Sequence, residues 1–393
     1  MHDYIDRQID KKLSNRLASS PVVALLGPRQ CGKSTLAKQL IATNPKSVYL
    51  DLELPSDCNK LTDAEGFFQF NHDALICIDE IQRIPNLFST IRAVVDQNRR
   101  NGRFLLLGSA SQDLLRQSSE SLAGRISYLE LTPFNLLELN TETDFQLRNF
   151  WQRGGFPRSY LAEQETESYR WRQDFIRTFL EQDIPSLGVN FDTGNLRRFW
   201  MMCAHVSGQL LNASKIGESL GLSHHTIHSY VELLSKTFVL RMLPPYEANL
   251  KKRLVKSPKL YLRDSGILHT LLEIEHHNQL LGHPNYGQSW ETFAIEQILN
   301  QFIGWRHYFY RDSNGAEIDL IVEKGQQRLA FEFKAGSQPS AKRATLSALE
   351  SLGIDSLNII IPVGTVYPLQ ANVMVYGLQH YLFSKNIKIK DRE

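Results

Sequence analysis

The sequence has few of the features that mark secreted, zinc-binding or membrane proteins. Its 393 residues include four cysteines and no C-x-x-C pair, which argues against a structural zinc site. Its apolar runs, such as LICI and FLLLG, have the length of strands and fall short of a membrane span. The amino-terminal stretch MHDYIDRQIDKKL is charged and has no apolar secretory segment. These absences predict a cytoplasmic protein with no membrane partner.

Net charge is nearly absent as well, because 44 Lys and Arg residues face 42 Asp and Glu residues. The composition therefore gives no global sign of a nucleic-acid partner. What the sequence does have is a regular alternation of apolar strands and helical segments over roughly its first third. That alternation predicts a parallel sheet covered by helices on both faces. After about residue 145 the segments become helical and turn-rich, and a second, smaller α/β region starts at about residue 286.

The stretch GPRQCGKST follows the apolar strand PVVALL and opens a helix. Its G-x-x-x-x-G-K-S spacing is that of a phosphate-binding loop, in which glycines let main-chain amides converge on phosphates. Lys33 is expected to bridge the β- and γ-phosphates of ATP, and Ser34 to bind Mg²⁺. The residues expected to contact the nucleotide are Gly27, Pro28, Arg29, Gln30, Cys31, Gly32, Lys33, Ser34 and Thr35. Cys31 is interpreted as a small filler, with an oxidation switch as the alternative.

Further candidates for this site follow other strands. The strand ALICIDE ends in Asp79, which can hold Mg²⁺ through water, and Glu80, which can orient or deprotonate an attacking water. Ser109, after the strand RFLLLG, can reach the γ-phosphate, although an ordinary turn residue is the alternative. Arg125 in SLAGR can stabilise charge on the transferring phosphoryl group, and a surface arginine is its alternative interpretation.

The middle of the chain carries a helix-turn-helix pattern at residues 214–240. Its second helix would present three histidines to a DNA groove, yet it contains no arginine, so a packing role is an equal alternative. A basic run follows and is either a solvated face or a contact to nucleic-acid phosphates. The residues of these two features are His224, His225, Thr226 and His228, then Lys251, Lys252, Arg253, Lys256, Lys259 and Arg263.

The stretch AEIDLIVEKGQQRLAFEFKAG predicts a hairpin of two apolar strands that carries charged residues. Period two places Glu332 and Lys334 on one face of the second strand, and antiparallel pairing would bring Asp319 beside them. Asp319 and Glu332 can bind a divalent metal, and Lys334 can stabilise charge during attack on a phosphodiester. Glu291 or Glu296 can complete this second metal site. A surface hairpin with ordinary ion pairs is the alternative.

Together GPRQCGKST, LICIDEIQRIP, LLLGSAS, LAGRISYLELTPF and WQRGGFPRSYL resemble a family of bacterial and archaeal AAA-type ATPases. The resemblance implies an α/β fold class with a P-loop NTPase parallel-sheet core, a helical winged-helix middle domain and a restriction-endonuclease-like terminal domain. It implies the motif roles of Lys33, Ser34, Asp79 and Glu80. The family's terminal patterns correspond to Gly315, Glu317 and Asp319, and to Glu332 and Lys334. The expected domains are residues 1–145 (ATPase), 146–250 (helical lid with winged helix), 251–285 (basic connector) and 286–393 (terminal domain).

Three functional hypotheses follow from these patterns. The first is a Mg²⁺-dependent ATPase coupled to a nuclease-like domain that acts on DNA or binds it. The second is an ATP-dependent switch whose terminal domain is an inactive partner-binding module. The third is a regulator that binds DNA through the winged helix and uses ATP to change its oligomeric state. ATP, Mg²⁺ and DNA are therefore the expected ligands, and a homo-oligomer is left open.

Overall fold

The computed structural model describes residues 4–108, 121–139, 145–189, 191–246, 256–313 and 315–390. The chain divides into two compact units. Unit 1 comprises Met1–Phe134 together with Lys236–Phe238, and unit 2 comprises Asn135–Ser235 and Val239–Glu393. The residues that sequence patterns assign to a lid, a connector and a terminal domain thus belong to one compact unit. Within the described ranges, no helix combines the length and apolar character needed to cross a bilayer.

Unit 1 is built on a five-stranded parallel sheet with the order β2-β3-β4-β1-β5. Its strands are β1 Val22–Leu26, β2 Ser47–Asp51, β3 Leu75–Asp79, β4 Phe104–Gly108 and β5 Ile126–Glu130. Every residue of β1, β3 and β4 is buried, because these strands are covered on both faces. The predicted parallel-sheet core of a P-loop NTPase is confirmed.

Two helical layers cover this sheet. The helices are α1 Ile9–Ser19, α2 Lys33–Ala42, α3 Pro55–Lys60, α4 Ala64–Phe70 and α5 Leu87–Gln97, with a 3₁₀ turn at Ile81–Arg83. Alternate residues of β1 point to opposite faces, so Ala24 belongs to a core with Phe68 and Leu25 to a core with Leu36. Because all five strands run in the same direction, the segments that follow β1, β3 and β4 emerge at one edge of the sheet.

The first half of unit 2 is mostly helical. Its helices are α6 Leu136–Leu139, α7 Leu147–Arg153, α8 Pro157–Tyr160, α9 Glu165–Thr178, α10 Ile184–Ser186, α11 Thr193–His205, α12 Ala213–Leu220 and α13 His224–Lys236, with a π-helical turn at Phe179–Asp183. Gly221 ends α12 in the left-handed conformation, with φ 67°, and the Ser223 hydroxyl caps the next helix by accepting the Thr226 amide at 3.1 Å. The helix-turn-helix segment is therefore two helices joined by a tight turn.

A small antiparallel sheet adjoins these helices, with the order β6-β8-β7. Its strands are β6 Gln209–Leu210, β7 Leu240–Leu243 and β8 Lys259–Leu262, and α14 Ser265–Leu271 and α15 His277–Leu281 follow. For Lys259 and Arg263, the prediction of a solvated basic face is wrong. Lys259 is buried at the start of β8, Arg263 is half-buried directly after β8, and both pair with carboxylates of unit 2. Lys256 is exposed. The residues Lys251, Lys252 and Arg253 lie outside the described residues.

The second half of unit 2 contains a six-stranded mixed sheet with the order β13-β14-β12-β11-β10-β9. Its elements are α16 Tyr286–Gln301, β9 Arg306–Arg311, β10 Glu317–Lys324, β11 Gln327–Phe333, α17 Arg343–Leu352, β12 Leu357–Ile361, β13 Val366–Gln370, β14 Val373–Gly377 and α18 Leu378–Lys390. Strands β10 and β11 form the predicted antiparallel hairpin, with Leu320 opposite Phe331. Continuing this register by one residue sets Asp319 opposite Glu332.

Candidate functional site

The phosphate-loop segment connects β1 to α2 and needs glycine at two positions. A Cβ on Gly27 would lie 2.2 Å from the main-chain oxygen of Leu131, and Gly32 has a φ of 104°. Between them, Cys31 is buried and its thiol contacts the Leu131 oxygen at 3.4 Å. Burial raises the pKa of the Cys31 thiol, which favours its interpretation as a filler over an oxidation switch. Gln30 also has a positive φ, of 60°.

Lys33 begins α2, and its ammonium lies inside the loop. The Lys33 Nζ donates to the main-chain oxygens of Gly27 at 3.0 Å and Pro28 at 2.8 Å, and the residue is only 6 % exposed. The first amides of a helix have no intrahelical partners and carry the positive end of its dipole. A positive helix end and a buried ammonium therefore meet at one loop, which is the arrangement that binds phosphate.

Arg7, which sequence patterns did not indicate, holds this loop from outside. Its Nη1 donates to the main-chain oxygen of Cys31 at 3.0 Å, and its Nη2 donates to that of Thr132 at 2.6 Å. Its guanidinium also lies 5.0 Å from the ring centroid of Phe134. Arg7 thus ties the loop to the chain that leaves β5. The local sequence around residue 7 does not indicate this role, because both of its hydrogen-bond partners are distant in sequence.

Asp79 ends β3 at the same edge of the sheet and is 4 % exposed. The Tyr49 hydroxyl donates to its Oδ2 at 2.5 Å, and the amide of Glu80 donates to its Oδ1 at 3.0 Å. Burial and then the Asp79 carboxylate raise the pKa of Tyr49, while a hydrogen bond with Ser34 opposes this rise. Tyr49 therefore stays a protonated donor that links Ser34 to Asp79. A serine hydroxyl and a carboxylate, together with phosphate oxygens, are donors that suit Mg²⁺.

Glu80 has a left-handed backbone, with φ 55° and ψ 43°. For a residue that is not glycine, this conformation costs on the order of 1–2 kcal/mol, and such strain gathers at functional sites. Burial raises the pKa of Glu80, while the charges of Lys33 and Arg29 act against it. Gln82 donates a side-chain hydrogen bond to the same carboxylate. Glu80 is thus a half-buried carboxylate with an increased proton affinity beside the phosphate loop.

The other residues predicted for this site have different positions. Arg125 precedes β5, at the amino edge of the sheet, about 15 Å of strand length from the loop edge. It forms a bidentate pair with Asp96, at 2.6 and 2.9 Å. The structure therefore does not bring Arg125 to the phosphate loop of its own chain. Within the loop, Arg29 pairs with Glu53 at 3.7 Å. Ser109 lies outside the described residues.

A second charged cluster lies in unit 2, around the hairpin of β10 and β11. The structure brings Asp319, Glu332 and Lys334 together there. Lys334 Nζ lies 2.6 Å from Glu332 Oε2, and Asp319 Oδ2 accepts the amide of Phe333 at 3.1 Å. Thr345 of α17 lies 3.4 Å from Glu332 Oε1. Burial and then the Asp319 charge raise the pKa of Glu332.

Lys259 is an unexpected member of this cluster. Its Nζ lies 2.8 Å from Glu317 Oε1, 3.3 Å from Glu291 Oε1 and 3.3 Å from Asp319 Oδ1. Burial alone would lower the pKa of Lys259, but the carboxylates outweigh it and raise the pKa well above its ordinary value. We define the carboxylate cluster as Glu291, Glu317, Asp319, Glu332, Lys259 and Lys334.

The two glutamates predicted to complete the cluster separate in the structure. Glu291 joins it, and Tyr261 donates to its Oε1 at 2.6 Å. Burial and then the charge of Asp319 raise the pKa of Glu291 to about 7. Glu296 instead binds Arg241, with its Oε2 2.8 Å from Nη2, and also pairs with Arg263 at 3.4 Å. Among the described residues, no three His, Cys, Asp or Glu side chains form a metal-binding group.

The histidines of α13 lie on its outer face. His224, His225 and His228 are exposed, whereas Ile227 and Tyr230 of the same helix are buried. The Nε2 atoms of His224 and His228 are 3.1 Å apart. The helix therefore packs through its apolar side and leaves the histidines facing solvent.

Models of three protein families match successive parts of the chain. An AAA domain matches residues 19–140, a domain of unknown function (DUF8612) matches residues 144–278, and a second one (DUF4143) matches residues 286–381. With the loop, the parallel sheet and the β3 carboxylates, the first match defines unit 1 as an AAA-type ATPase domain that binds ATP. The other two descriptions leave the restriction-endonuclease-like expectation as a prediction.

Whole-length relatives define the chain further. It is 39 % identical over 381 residues to an uncharacterised protein of Mycobacterium tuberculosis, covering 97 % of this chain and 85 % of that protein. The chain belongs to the family of this mycobacterial protein. An uncharacterised Haemophilus influenzae protein is 25 % identical over 348 residues, covering 79 % and 83 %. A solved Walker-type ATPase of Pyrococcus abyssi aligns with 69 % of this chain and 96 % of its own, with a TM-score of 0.49 and 14 % identity.

Proposed function

We propose that unit 1 hydrolyses ATP in a Mg²⁺-dependent reaction in which Glu80 is the general base. The observation that carries this proposal is the meeting of Lys33, Asp79 and Glu80 at the carboxyl edge of one parallel sheet. Glu80 adds two properties of a catalytic group, namely a strained backbone and a pKa raised by burial. A carboxylate with this increased proton affinity accepts a proton from water more readily than an ordinary glutamate does.

The residues divide the work as follows. Lys33 exchanges its main-chain acceptors for phosphate oxygens when ATP enters the loop. Ser34 and Asp79 would hold Mg²⁺, which supplies positive charge against the phosphates. Tyr49 orients the Asp79 carboxylate through its hydrogen bond. Water attacks the γ-phosphorus, the bond to the bridging oxygen breaks, and Glu80 takes the proton of the water.

The test of this proposal is steady-state ATP hydrolysis with and without Mg²⁺. Lys33→Ala should lower kcat/KM by at least about a hundredfold, because it removes the charge that meets the phosphates. Lys12→Ala is the matched control, since Lys12 is exposed on α1. Undiminished hydrolysis in the Lys33 variant, or equal rates after Mg²⁺ is chelated, would refute the assignment.

We further propose that the ATP cycle is coupled to unit 2, acting as a nuclease-like module that binds DNA. The order α16-β9-β10-β11-α17-β12, with Asp319 and Glu332 on adjacent antiparallel strands, supports the predicted nuclease-like core. The order α11-β6-α12-α13-β7-β8 supports the predicted winged helix, with three exposed histidines on its second helix. Stimulation of ATP turnover by DNA tests this coupling, and turnover that ignores every nucleic acid offered contradicts it.

A second candidate is an ATP-dependent switch in which unit 2 binds a partner and cleaves nothing. The observation that favours it is Lys259, whose ammonium already pairs with Asp319 and two glutamates. Incubation of DNA with Mg²⁺ or Mn²⁺ separates the candidates. Cleavage that disappears in Asp319→Ala supports a nuclease, whereas intact DNA with wild-type protein supports the switch.

A further inference from the structure

The carboxylate cluster is charged, buried and already supplied with a cation. Lys259 is 2 % exposed and is fixed in β8 between Leu210 of β6 and Leu243 of β7. Its Nζ lies 2.8–3.3 Å from three carboxylate oxygens, one each from Glu291, Glu317 and Asp319. An ammonium has three donors, so each of its protons has an acceptor.

The size of this cage suits an ammonium better than a metal. Mg²⁺ binds oxygens at about 2.0–2.1 Å and Ca²⁺ at about 2.3–2.6 Å, whereas N–H donors hold oxygens at about 2.7–3.2 Å. The three carboxylate oxygens around Lys259, at 2.8–3.3 Å, lie within or just beyond the N–H range and well outside both metal ranges. A metal among them would have to displace the lysine and also draw the oxygens inward.

Charge supports the same conclusion. The four carboxylates Glu291, Glu317, Asp319 and Glu332 stand against two ammonium groups, so the cluster carries excess negative charge when every group is ionised. Tyr261 also donates a hydrogen bond to Glu291. Loss of Lys259 would leave the remaining carboxylates without their central cation.

We propose that Lys259 is the resident cation of the carboxylate cluster and takes the place that a divalent metal would occupy in a nuclease-like site. The cluster therefore binds no Mg²⁺ or Mn²⁺ while Lys259 is in position. The cluster opens onto a cavity of about 630 Å³, whose charged lining residues are Lys259, Arg311 and Lys334 together with Glu291, Glu317 and Asp319. A nuclease-like core of this kind lacks the metal that phosphodiester cleavage uses.

The experiment is a Mn²⁺ titration of the full chain without nucleotide, followed by the electron paramagnetic resonance signal of free Mn²⁺. It is run at pH 8, where Glu291 is mostly ionised, so that protons do not compete with the metal. Lys259→Ala should gain one Mn²⁺ per chain, bound at least tenfold more tightly than any ion in the wild type. The double variant Lys259→Ala/Asp319→Asn should lose this gain. Lys256→Ala, which removes a nearby exposed lysine, should bind as the wild type does.

A folded Lys259→Ala protein that gains no Mn²⁺ site overturns the proposal. If that variant does not fold, the comparison of wild type with Asp319→Asn decides. Equal Mn²⁺ binding by these two proteins supports a cluster without metal, and loss of one bound ion in Asp319→Asn refutes it. The carboxylate cluster lies in unit 2 alone, so a negative Mn²⁺ result would leave the ATP hydrolysis proposed for unit 1 intact. Conversely, an absence of ATP turnover would refute that hydrolysis and leave the proposal for the cluster intact.

Discussion

The two units each bury a lysine, and the two lysines have opposite partners. Lys33 of unit 1 is 6 % exposed and Lys259 of unit 2 is 2 % exposed. Lys33 donates to the uncharged main-chain oxygens of Gly27 and Pro28, whereas Lys259 pairs with three carboxylates. Burial alone therefore does not say what a lysine does.

The acceptors decide the function of the buried charge. A phosphate oxygen carries charge and forms a stronger hydrogen bond to an ammonium than a neutral carbonyl does. Lys33 can thus gain by exchanging its partners for ATP. Lys259 already has charged partners, so another anion offers it little, and a metal must remove it first. The partners of Lys33 can therefore be replaced by a ligand, whereas the protein itself already supplies the charged partners of Lys259.

The sharpest test of unit 1 as the catalytic unit is Glu80→Gln. We expect kcat for ATP hydrolysis to fall by about 10²–10⁴-fold, because the amide cannot take a proton from water. Nucleotide affinity should stay within about threefold, since Lys33 and the loop are unchanged. Steady-state hydrolysis and a fluorescent-nucleotide titration measure the two quantities. Glu218→Gln, an exposed glutamate of unit 2, is the control. Normal turnover in the Glu80 variant would show that Glu80 is not the general base.

The free energy of unfolding tests the difference between the two buried lysines. Lys259→Met should lower the free energy of unfolding by about 3–5 kcal/mol, because it leaves buried carboxylates without their cation. Lys33→Met should cost only about 1–2 kcal/mol, because it removes hydrogen bonds to neutral oxygens. Urea unfolding followed by tryptophan fluorescence reports unit 2, which contains all five tryptophans. Circular dichroism follows the secondary structure of the whole chain, so the unfolding of unit 1 is the part of its change that tryptophan fluorescence does not report. Equal losses for both variants would contradict the distinction.

Arg7 provides a smaller effect within unit 1. Arg7→Ala should raise the KM for ATP by about tenfold, equivalent to roughly 1.4 kcal/mol, with little change in kcat. The reason is that Arg7 holds the loop through Cys31 but lies outside the reacting groups. Initial rates over a range of ATP concentrations separate the two constants. Arg16→Ala, on the exposed side of α1, should leave both unchanged, and a fall in kcat alone for Arg7→Ala would contradict a positioning role.

The sequence predicted those features that depend on local pattern. The parallel sheet follows from fully apolar strands, and the loop follows from its glycine spacing. The adjacency of Asp319, Glu332 and Lys334 follows from period two in a hairpin, although their role at a metal site stays a prediction. In each case the residues involved are close in sequence or joined by a regular element.

The features that sequence reasoning missed depend on contacts between distant segments. Lys259 lies 60 positions before Asp319, and its contact depends on how β8 packs against the later sheet. A run of basic residues is usually solvated, so nothing in its composition marks one member as buried. Tyr49 and Arg7 likewise meet Asp79 and Cys31 only after the sheet forms. The position of Arg125 could not be judged until the direction of β5 was known.

The excess charge of the carboxylate cluster predicts a pH dependence. The pKa of Glu291 is raised to about 7 from 4.5, so the folded protein binds its proton more tightly than the unfolded chain. This group therefore contributes stability that is complete below about pH 4.5 and is lost as pH rises through about 7. Glu291→Gln lacks this pH-dependent contribution. Its free energy of unfolding, relative to that of the wild type, should therefore increase from pH 5 to pH 8. Tryptophan-detected urea unfolding at four pH values measures the trend. Glu350→Gln, an exposed control, should show none.

Arg125 should have the smallest effect on hydrolysis, because it lies at the edge of the sheet opposite the phosphate loop and already pairs with Asp96. We expect kcat and KM of Arg125→Ala to stay within about twofold of wild type. A large loss would mean that the arginine serves the site of a neighbouring chain. Mixing Arg125→Ala with Glu80→Gln would then restore hydrolysis, because each chain keeps the residue that the other lacks. If Arg125 does not serve a neighbouring chain, the mixture shows only the sum of the rates of the two separate variants. That result would mean that the catalytic groups of unit 1 all lie at one edge of its sheet.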